Sequence, residues 1–412
     1  MNTENNYFEV VTDREALLQD SPSSRVLKMT IKAPATAQKV DRPRMNLSLV
    51  LDRSGSMSGE KLAYVKKAAS YVVDMLQEQD FISVVTFDDK VDVLSQSASA
   101  AAHTKTETQA RLAKVRSGGS TNLSGGWFEG CKEIANTAVA GTINRSLLLT
   151  DGLANVGIEN LEELAQHAGE LSRRGISTST FGVGTGFNEH LLEAMSNNGG
   201  GNFYYIADPA DIPSIFQREF SELTAITLRD VEINLKFPPA WFLKVPGSWT
   251  KKFTEGHLKL SVGSLFSGQT LEIYIRINIP VGGNFSQTPV DITCAGTNEQ
   301  NNPFDDHQQV LFINSDALTF QSTVQRRDVM EGFAIVYLAD MVTEILKMER
   351  GGFGEQASLQ LRNALNELSQ FIHPAEFARY SNMADRMRRG MDEMDRKTSH
   401  YNAYNEKRQR SH

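Results

Sequence analysis

The spacing of apolar residues changes three times along the chain, and each change predicts a different kind of structure. Residues 1–44 hold two short strand-like runs, Tyr7 to Val11 and Arg25 to Ile31, separated by the turn-forming Asp20-Ser21-Pro22-Ser23-Ser24. From Met45 onward, apolar runs alternate with amphipathic stretches. The runs Met45 to Leu51, Phe81 to Phe87, Ser146 to Thr150, Ile176 to Val183 and Asn202 to Ile206 predict strands. Between the first two, Lys61 to Leu76 places Leu62, Val65, Ala69, Val72, Val73 and Leu76 on one helical face. Leu123 to Ala138, Leu161 to Arg173, Glu189 to Met195 and Ile212 to Leu223 read the same way, the last with Asp211 as its cap and Pro213 in its first turn. The alternation predicts an α/β domain over 45–223, with a doubly wound, mostly parallel sheet.

After residue 223 the period switches to two. Leu228 to Phe237, Leu258 to Val262, Leu271 to Ile279, Val290 to Cys294 and Val310 to Ile313 predict the strands of a β-sandwich over 224–320. The runs in 1–44 have the right character to complete it, so the α/β domain is either inserted in the sandwich or followed by it. From 321 to 412 the pattern is helical. Breaks at Gly351-Gly352-Phe353-Gly354 and His373-Pro374 divide it into three segments, and composition predicts a tail that frays after about Thr398. Met383, Met387, Met391 and Met394 share one helical face, which reads first as core packing and otherwise as an adaptable docking surface for a second partner or another copy of the chain.

Composition removes several classes of function. The 412 residues carry 42 Lys and Arg against 50 Asp and Glu, a net charge of −8, which gives no global reason to bind nucleic acid or an anionic membrane. Cys131 and Cys294 are too few and too far apart for a disulfide framework or a Cys-rich zinc site, and read as buried small hydrophobes. The first seven residues show neither a basic nor an apolar leader region, and no run approaches ~18 apolar residues, so a cytoplasmic location is expected. In that setting the Asn-x-Ser matches at Asn46, Asn122, Asn144 and Asn284 are chance.

Three loops carry candidate chemistry. The run ending at Leu51 leads into Asp52-Arg53-Ser54-Gly55-Ser56-Met57, and the run ending at Thr150 leads into Asp151-Gly152. Ser117-Gly118-Gly119-Ser120-Thr121-Asn122 adds a glycine-rich loop ahead of a helix. Ends of parallel strands are where open α/β sheets keep their ligand sites, so the loops are expected to converge. Two carboxylates and several hydroxyls, with no His or Cys, suit a hard cation: Mg²⁺, with Mn²⁺ or Ca²⁺ as alternatives. Neutral hydroxyl ligands leave such an ion acidic toward an incoming anion, and a partner's Asp or Glu carboxylate is its natural last ligand.

The ordered set Asp52-x-Ser54-x-Ser56, Thr121 and Asp151 resembles the metal-ion-dependent adhesion site of von Willebrand factor type A domains. The resemblance covers 45–223 and implies that Ser54, Ser56 and Thr121 ligate the metal directly, with Asp52 and Asp151 acting through water or exchanging as ligands. It places Met57, Asn122, Gly152 and Asn155 at the rim of the docking surface. It also implies that the last helix of the domain shifts with the state of the metal site. The function expected is a Mg²⁺-dependent protein-interaction module without catalysis, acting as a scaffold or regulatory subunit. Alternatives are a regulatory partner of an AAA+ ATPase or chelatase-type machine, an RNA-binding scaffold, and a metal-dependent hydrolase. The hydrolase is disfavoured because Ser54 stands where aspartyl-phosphate enzymes place a second Asp, and no P-loop, His-Glu-x-x-His or Gly-x-Ser-x-Gly motif occurs. Phe181-Gly182-Val183-Gly184-Thr185-Gly186 reads as a turn, Asn197 to Asn202 as a helix-to-strand loop, and Asp305-Asp306-His307 as a solvated hairpin loop.

Overall fold

All eight residues of the strand Met45–Asp52 are buried. Such continuous burial marks a strand covered on both faces, as parallel sheets are. In the computed structural model, which describes residues 7–35, 43–139, 141–281 and 287–409, this strand lies inside a six-stranded sheet. The sequon at Asn284 falls outside the described residues. The strand order is Val91–Ser99, Phe81–Phe87, Met45–Asp52, Ile143–Thr150, Ile176–Val183, Gly200–Ile206, parallel throughout except for the antiparallel edge Val91–Ser99. The chain builds outward from Met45–Asp52 in one direction, then crosses back to continue on its other side, so the order reverses between Met45–Asp52 and Ile143–Thr150.

The helices of this unit are Glu60–Met75, Ala102–Ala113, Leu123–Thr137, Leu161–Arg173, Glu189–Asn198 and Ile212–Thr224. Leu123–Thr137 crosses closest to the centre: a Cβ at Gly126 would lie 2.5 Å from the Phe87 ring, and one at Gly130 would lie 2.3 Å from Val50. Only glycine permits that approach. Ile212–Thr224 is anchored through Glu219, a fully buried carboxylate that accepts from Arg145 (2.9 Å), Ser179 (2.5 Å) and Tyr204 (2.8 Å). Asp211 makes no side-chain cap there; the cap bond one turn earlier comes from Asp208. The loop expected at Asn197 to Asn202 is nearly absent, because helix Glu189–Asn198 and strand Gly200–Ile206 leave only Gly199 between them.

The chain divides into two compact units, Gln38–Ala225 and, discontinuous in sequence, Met1–Ala37 with Ile226–His412. The second contains two antiparallel-dominated sheets. One has the order Phe8–Thr12, Ser23–Lys32, Thr270–Ile279, Phe242–Lys244. The other runs Thr250–Thr254, His257–Phe266, Ile226–Lys236, Gln287–Asn298, Pro303–Ser315, Ala16–Leu18. Alternate residues of both, among them Leu27, Met29, Ile273, Ile275, Ile233, Leu260, Ile292 and Phe312, bury into one apolar cluster. Ser23–Lys32 pairs with Thr270–Ile279 over ten residue pairs, so chain separated by more than 200 residues forms one ladder. Asp305 to His307 lie within strand Pro303–Ser315 rather than in a loop, and Asp306 accepts the Tyr7 N–H at 3.0 Å.

The other face of the smaller sheet offers Val26 and Tyr274 to a helical cluster built from Arg327–Arg350, Gly354–Leu368, Pro374–Arg389 and Glu393–Arg408. There are four long helices where three segments were expected, because Gly390, at φ +93°, makes a further break and Asp392 caps a new helix. The tail expected to fray after Thr398 is helical to Arg408. Its Ser399, His400, Ala403 and Tyr404 are buried, and Glu406 accepts from Tyr380 at 2.7 Å. Met383, Met387 and Met391 pack in the core of this cluster, and Met394 is 52% exposed.

Candidate metal centre

Asp52 is the last residue of the central strand and Asp151 follows its neighbour Ile143–Thr150, so both carboxylates emerge where the strand order reverses. Backbone bonds bring the third loop onto them. Gly118 N–H donates to Arg53 O (2.7 Å) and Gly55 N–H to Gly119 O (2.9 Å), locking the glycine loop to the Asp52 loop. A Cβ on Gly118 or Gly119 would collide with the Asp88 or Asp89 carboxylate, which is why this loop is glycine-rich. Thr121 is held from the other side: its N–H donates to Asn155 Oδ1 (2.8 Å), and its carbonyl accepts the Asn155 N–H (3.2 Å).

The oxygens form a connected set. Asp52 accepts the Ser54 N–H on Oδ1 (2.7 Å) and the Thr150 hydroxyl on Oδ2 (2.5 Å). Ser54 Oγ and Ser56 Oγ lie 3.1 Å apart, and Ser56 Oγ donates to Asp151 Oδ1 at 2.6 Å. Thr121 Oγ1 and Ser56 Oγ are 3.3 and 3.7 Å from the point that a Cβ on Gly152 would occupy, so glycine there keeps the space between the loops open. Asp52, Ser54, Thr121 and Asp151 are buried and Ser56 is exposed, giving an enclosed cup with one open side.

The donor set fits a hard divalent ion. Neighbouring ligands of a Mg²⁺ octahedron with bonds near 2.1 Å are about 3 Å apart, the spacing found between Ser54 and Ser56. Among the described residues two buried carboxylates stand here against one cation, Lys61, whose ammonium pairs with Asp151 Oδ2. Among the described residues no side-chain cation pairs with Asp52. Burial pushes its carboxyl above the ordinary aspartate range, and the bonds from Thr150 and Ser54 only partly offset this. A buried carboxylate without a counter-charge is costly, and a cation bound nearby relieves that cost.

A family model described as von Willebrand factor type A domain matches residues 46–218. These residues are a von Willebrand factor type A domain. Domains of this family generally mediate protein interactions and typically bind a divalent metal. The uncharacterized protein YfbK of Escherichia coli (strain K12) is 32% identical over 203 residues, covering 48% of this chain and 35% of that protein. The uncharacterized protein sll0103 of Synechocystis sp. is 29% identical over 227 residues, covering 54% of this chain and 52% of that protein. The chain thus spans a third to a half of the length of these relatives. The solved structure of a von Willebrand factor type A protein from Catenulispora acidiphila shares the fold at a TM-score of 0.73 with 16% identity, covering 98% of each chain.

The A domain brings together Asp52, Ser54, Ser56, Thr121 and Asp151 as the three-loop reading requires. Its rim differs in part. Met57, the last residue of the 3₁₀ turn Gly55–Met57, is fully buried, and a side chain closed off from solvent takes no part in the accessible edge. Asn122 caps helix Leu123–Thr137 through Gly125 N–H (3.0 Å). Gly152 and Asn155 do border the cup, joined by Leu153, which is 56% exposed. Thr150 and Lys61 were not singled out in the sequence. For Lys61 a signal existed: a cation in the first turn of a helix opposes the helix dipole and needs another partner. Among the described residues no helix is long and apolar enough to cross a membrane. Cys131 and Cys294 are free and buried, their thiols pushed by burial up to about 12, so neither is reactive at neutral pH.

Proposed function

We propose that this chain is a non-catalytic protein-interaction module in which Asp52, Ser54, Ser56, Thr121 and Asp151 hold Mg²⁺ and a partner's Asp or Glu carboxylate docks at the open side of the cup. The observation that supports the reading most is Asp52: a buried carboxylate that pairs with no side-chain cation among the described residues, facing hydroxyl oxygens at ligand spacing. When bound, the ion supplies an acidic centre for an anion. The protein's part is to fix the donors. Thr150 and the Ser54 N–H orient Asp52, Asn155 fixes Thr121, and Gly152 leaves room for the incoming group. Ser54, two residues beyond Asp52, offers no general acid, which supports binding rather than turnover.

The same reading takes the two sheets of the other unit as a β-sandwich interrupted in sequence by the A domain, with the C-terminal helices as its support. Isothermal titration of Mg²⁺ into the full chain tests the site: one equivalent binds the wild type, Thr121→Ala weakens binding with the melting temperature of the metal-free protein retained, and Asp52→Ala abolishes it. Unchanged Mg²⁺ binding in Asp52→Ala would refute the site.

A further inference from the structure

Beside the Asp52 loop lies an open cleft of about 530 Å³. It shares walls with the candidate centre: Arg53 comes from the Asp52 loop, and Gly118 and Gly119 come from the loop that carries Thr121. The lining is strongly basic, with Arg53, Lys90, Arg111, Lys114 and Arg116 against Asp88 and Asp89. Two of these cations are already committed. Arg53 pairs with Asp88 (3.1 Å) and Asp92 (2.5 Å), and Arg111 with Glu107 (2.5 Å). Among the described residues the side chains of Lys90, Lys114 and Arg116 make no hydrogen bond or ion pair. Three exposed cations therefore face one cleft, with Asp89 the one lining acid not engaged by Arg53.

We infer that this cleft extends the metal centre into a composite surface for an acidic peptide segment: one carboxylate at the centre, further carboxylates against Lys90, Lys114 and Arg116. The inference rests on the function proposed above. Charge complementarity selects the ligand class, because uncommitted cations in a concave surface attract and orient anions. The volume exceeds what a single carboxylate fills and suits several residues. A peptide fits better than nucleic acid for two reasons. The lining has no aromatic ring on which a base could stack, and Asp89 in the lining repels a backbone charged at every unit, whereas a peptide can space its acids around it.

The test uses the full chain in Mg²⁺ and two fluorescein-labelled ten-residue peptides in a Gly-Ser background, one with a single Glu and one with four, read by fluorescence anisotropy. The wild type is expected to bind the four-Glu peptide roughly tenfold more tightly at low salt. The combined variant Lys90→Gln, Lys114→Gln, Arg116→Gln is expected to lose that margin while keeping wild-type binding of the single-Glu peptide and the Mg²⁺-induced rise in melting temperature. If the variant keeps the margin, the cleft has no part in recognition, although the metal reading stands. If Thr121→Ala and chelation leave both peptides bound as before, the metal reading fails and the composite surface fails with it. A ten-nucleotide oligouridine that binds more tightly than the four-Glu peptide, and is lost in the triple variant, would overturn the acidic-peptide assignment in favour of nucleic acid.

Discussion

Lys61 shows how one side chain outside the candidate donor set can tune that site across the chain. Its ammonium neutralises Asp151, so in the metal-free protein it offsets part of the charge that a divalent ion would otherwise relieve. Lys61→Met should therefore lower the melting temperature of the metal-free protein and tighten Mg²⁺ binding roughly tenfold by calorimetry, since the ion no longer competes with the ammonium. Equal affinity in the variant would mean that the pair is incidental. The five candidate oxygen donors could be picked out in the sequence because two-residue spacing, strand ends and a glycine loop each mark a position locally. Thr150 and Lys61 were not, because what they do is decided by where a hydroxyl and an ammonium reach across 98 and 90 residues of chain. Met57 misled for a related reason: its position in the loop is local, but its burial is a property of the folded structure that loop position does not reveal.

Among the elements, the central strands and their helices announced themselves through apolar period, and Phe81–Phe87, Ile176–Val183 and Leu161–Arg173 have the predicted ends. The edge strand Val91–Ser99 and the helix Ala102–Ala113 escaped notice because they pack largely through polar side chains. Ser95 and Thr108 meet at 3.0 Å, and the helix buries only Thr104, Thr108 and Leu112. The last A-domain helix is tied down by the buried Glu219–Arg145 pair, so Glu219→Ala, which leaves Arg145 without that partner, should cost about 3–5 kcal/mol in chemical denaturation. A loss below about 1 kcal/mol would show that the network is relaxed. The final helix is held by Glu349, which accepts from Arg396 Nε (2.6 Å) and the Met391 N–H (3.0 Å). Burial raises this carboxyl, but the Arg396 and Met391 bonds outweigh it and hold it below the ordinary glutamate range. The unfolded chain then takes up the proton first, so the stabilisation is present at neutral pH and is lost as pH falls through the folded-state value. Glu349→Gln should lower stability at pH 7 and flatten its fall on acidification, measured by urea midpoints across that range. An unchanged slope would exclude Glu349 as the source.

At the scale of the whole chain, the period-two pattern identified five of the strands after residue 223 and the two N-terminal runs but missed the short strands Ala16–Leu18, Phe242–Lys244 and Thr250–Thr254, and pattern alone leaves open which strands pair. Pairing of Ser23–Lys32 with Thr270–Ile279 is set by long-range packing, with Leu27, Met29, Ile273 and Ile275 entering the same cluster. Deleting residues 1–37 should therefore expose that cluster and produce a chain that binds a hydrophobic dye and melts without cooperativity. Cooperative melting of the truncated chain would contradict this account of the unit. Centrally, the chain is read as a metal-dependent docking module, and the most direct measurement is affinity capture from the native cell with wild-type and Asp52→Ala baits in parallel, Mg²⁺ present throughout. The account predicts a partner retained by the wild type and lost both from the Asp52→Ala bait and from the wild type on chelation. Equal recovery by both baits, unaffected by chelation, would contradict it.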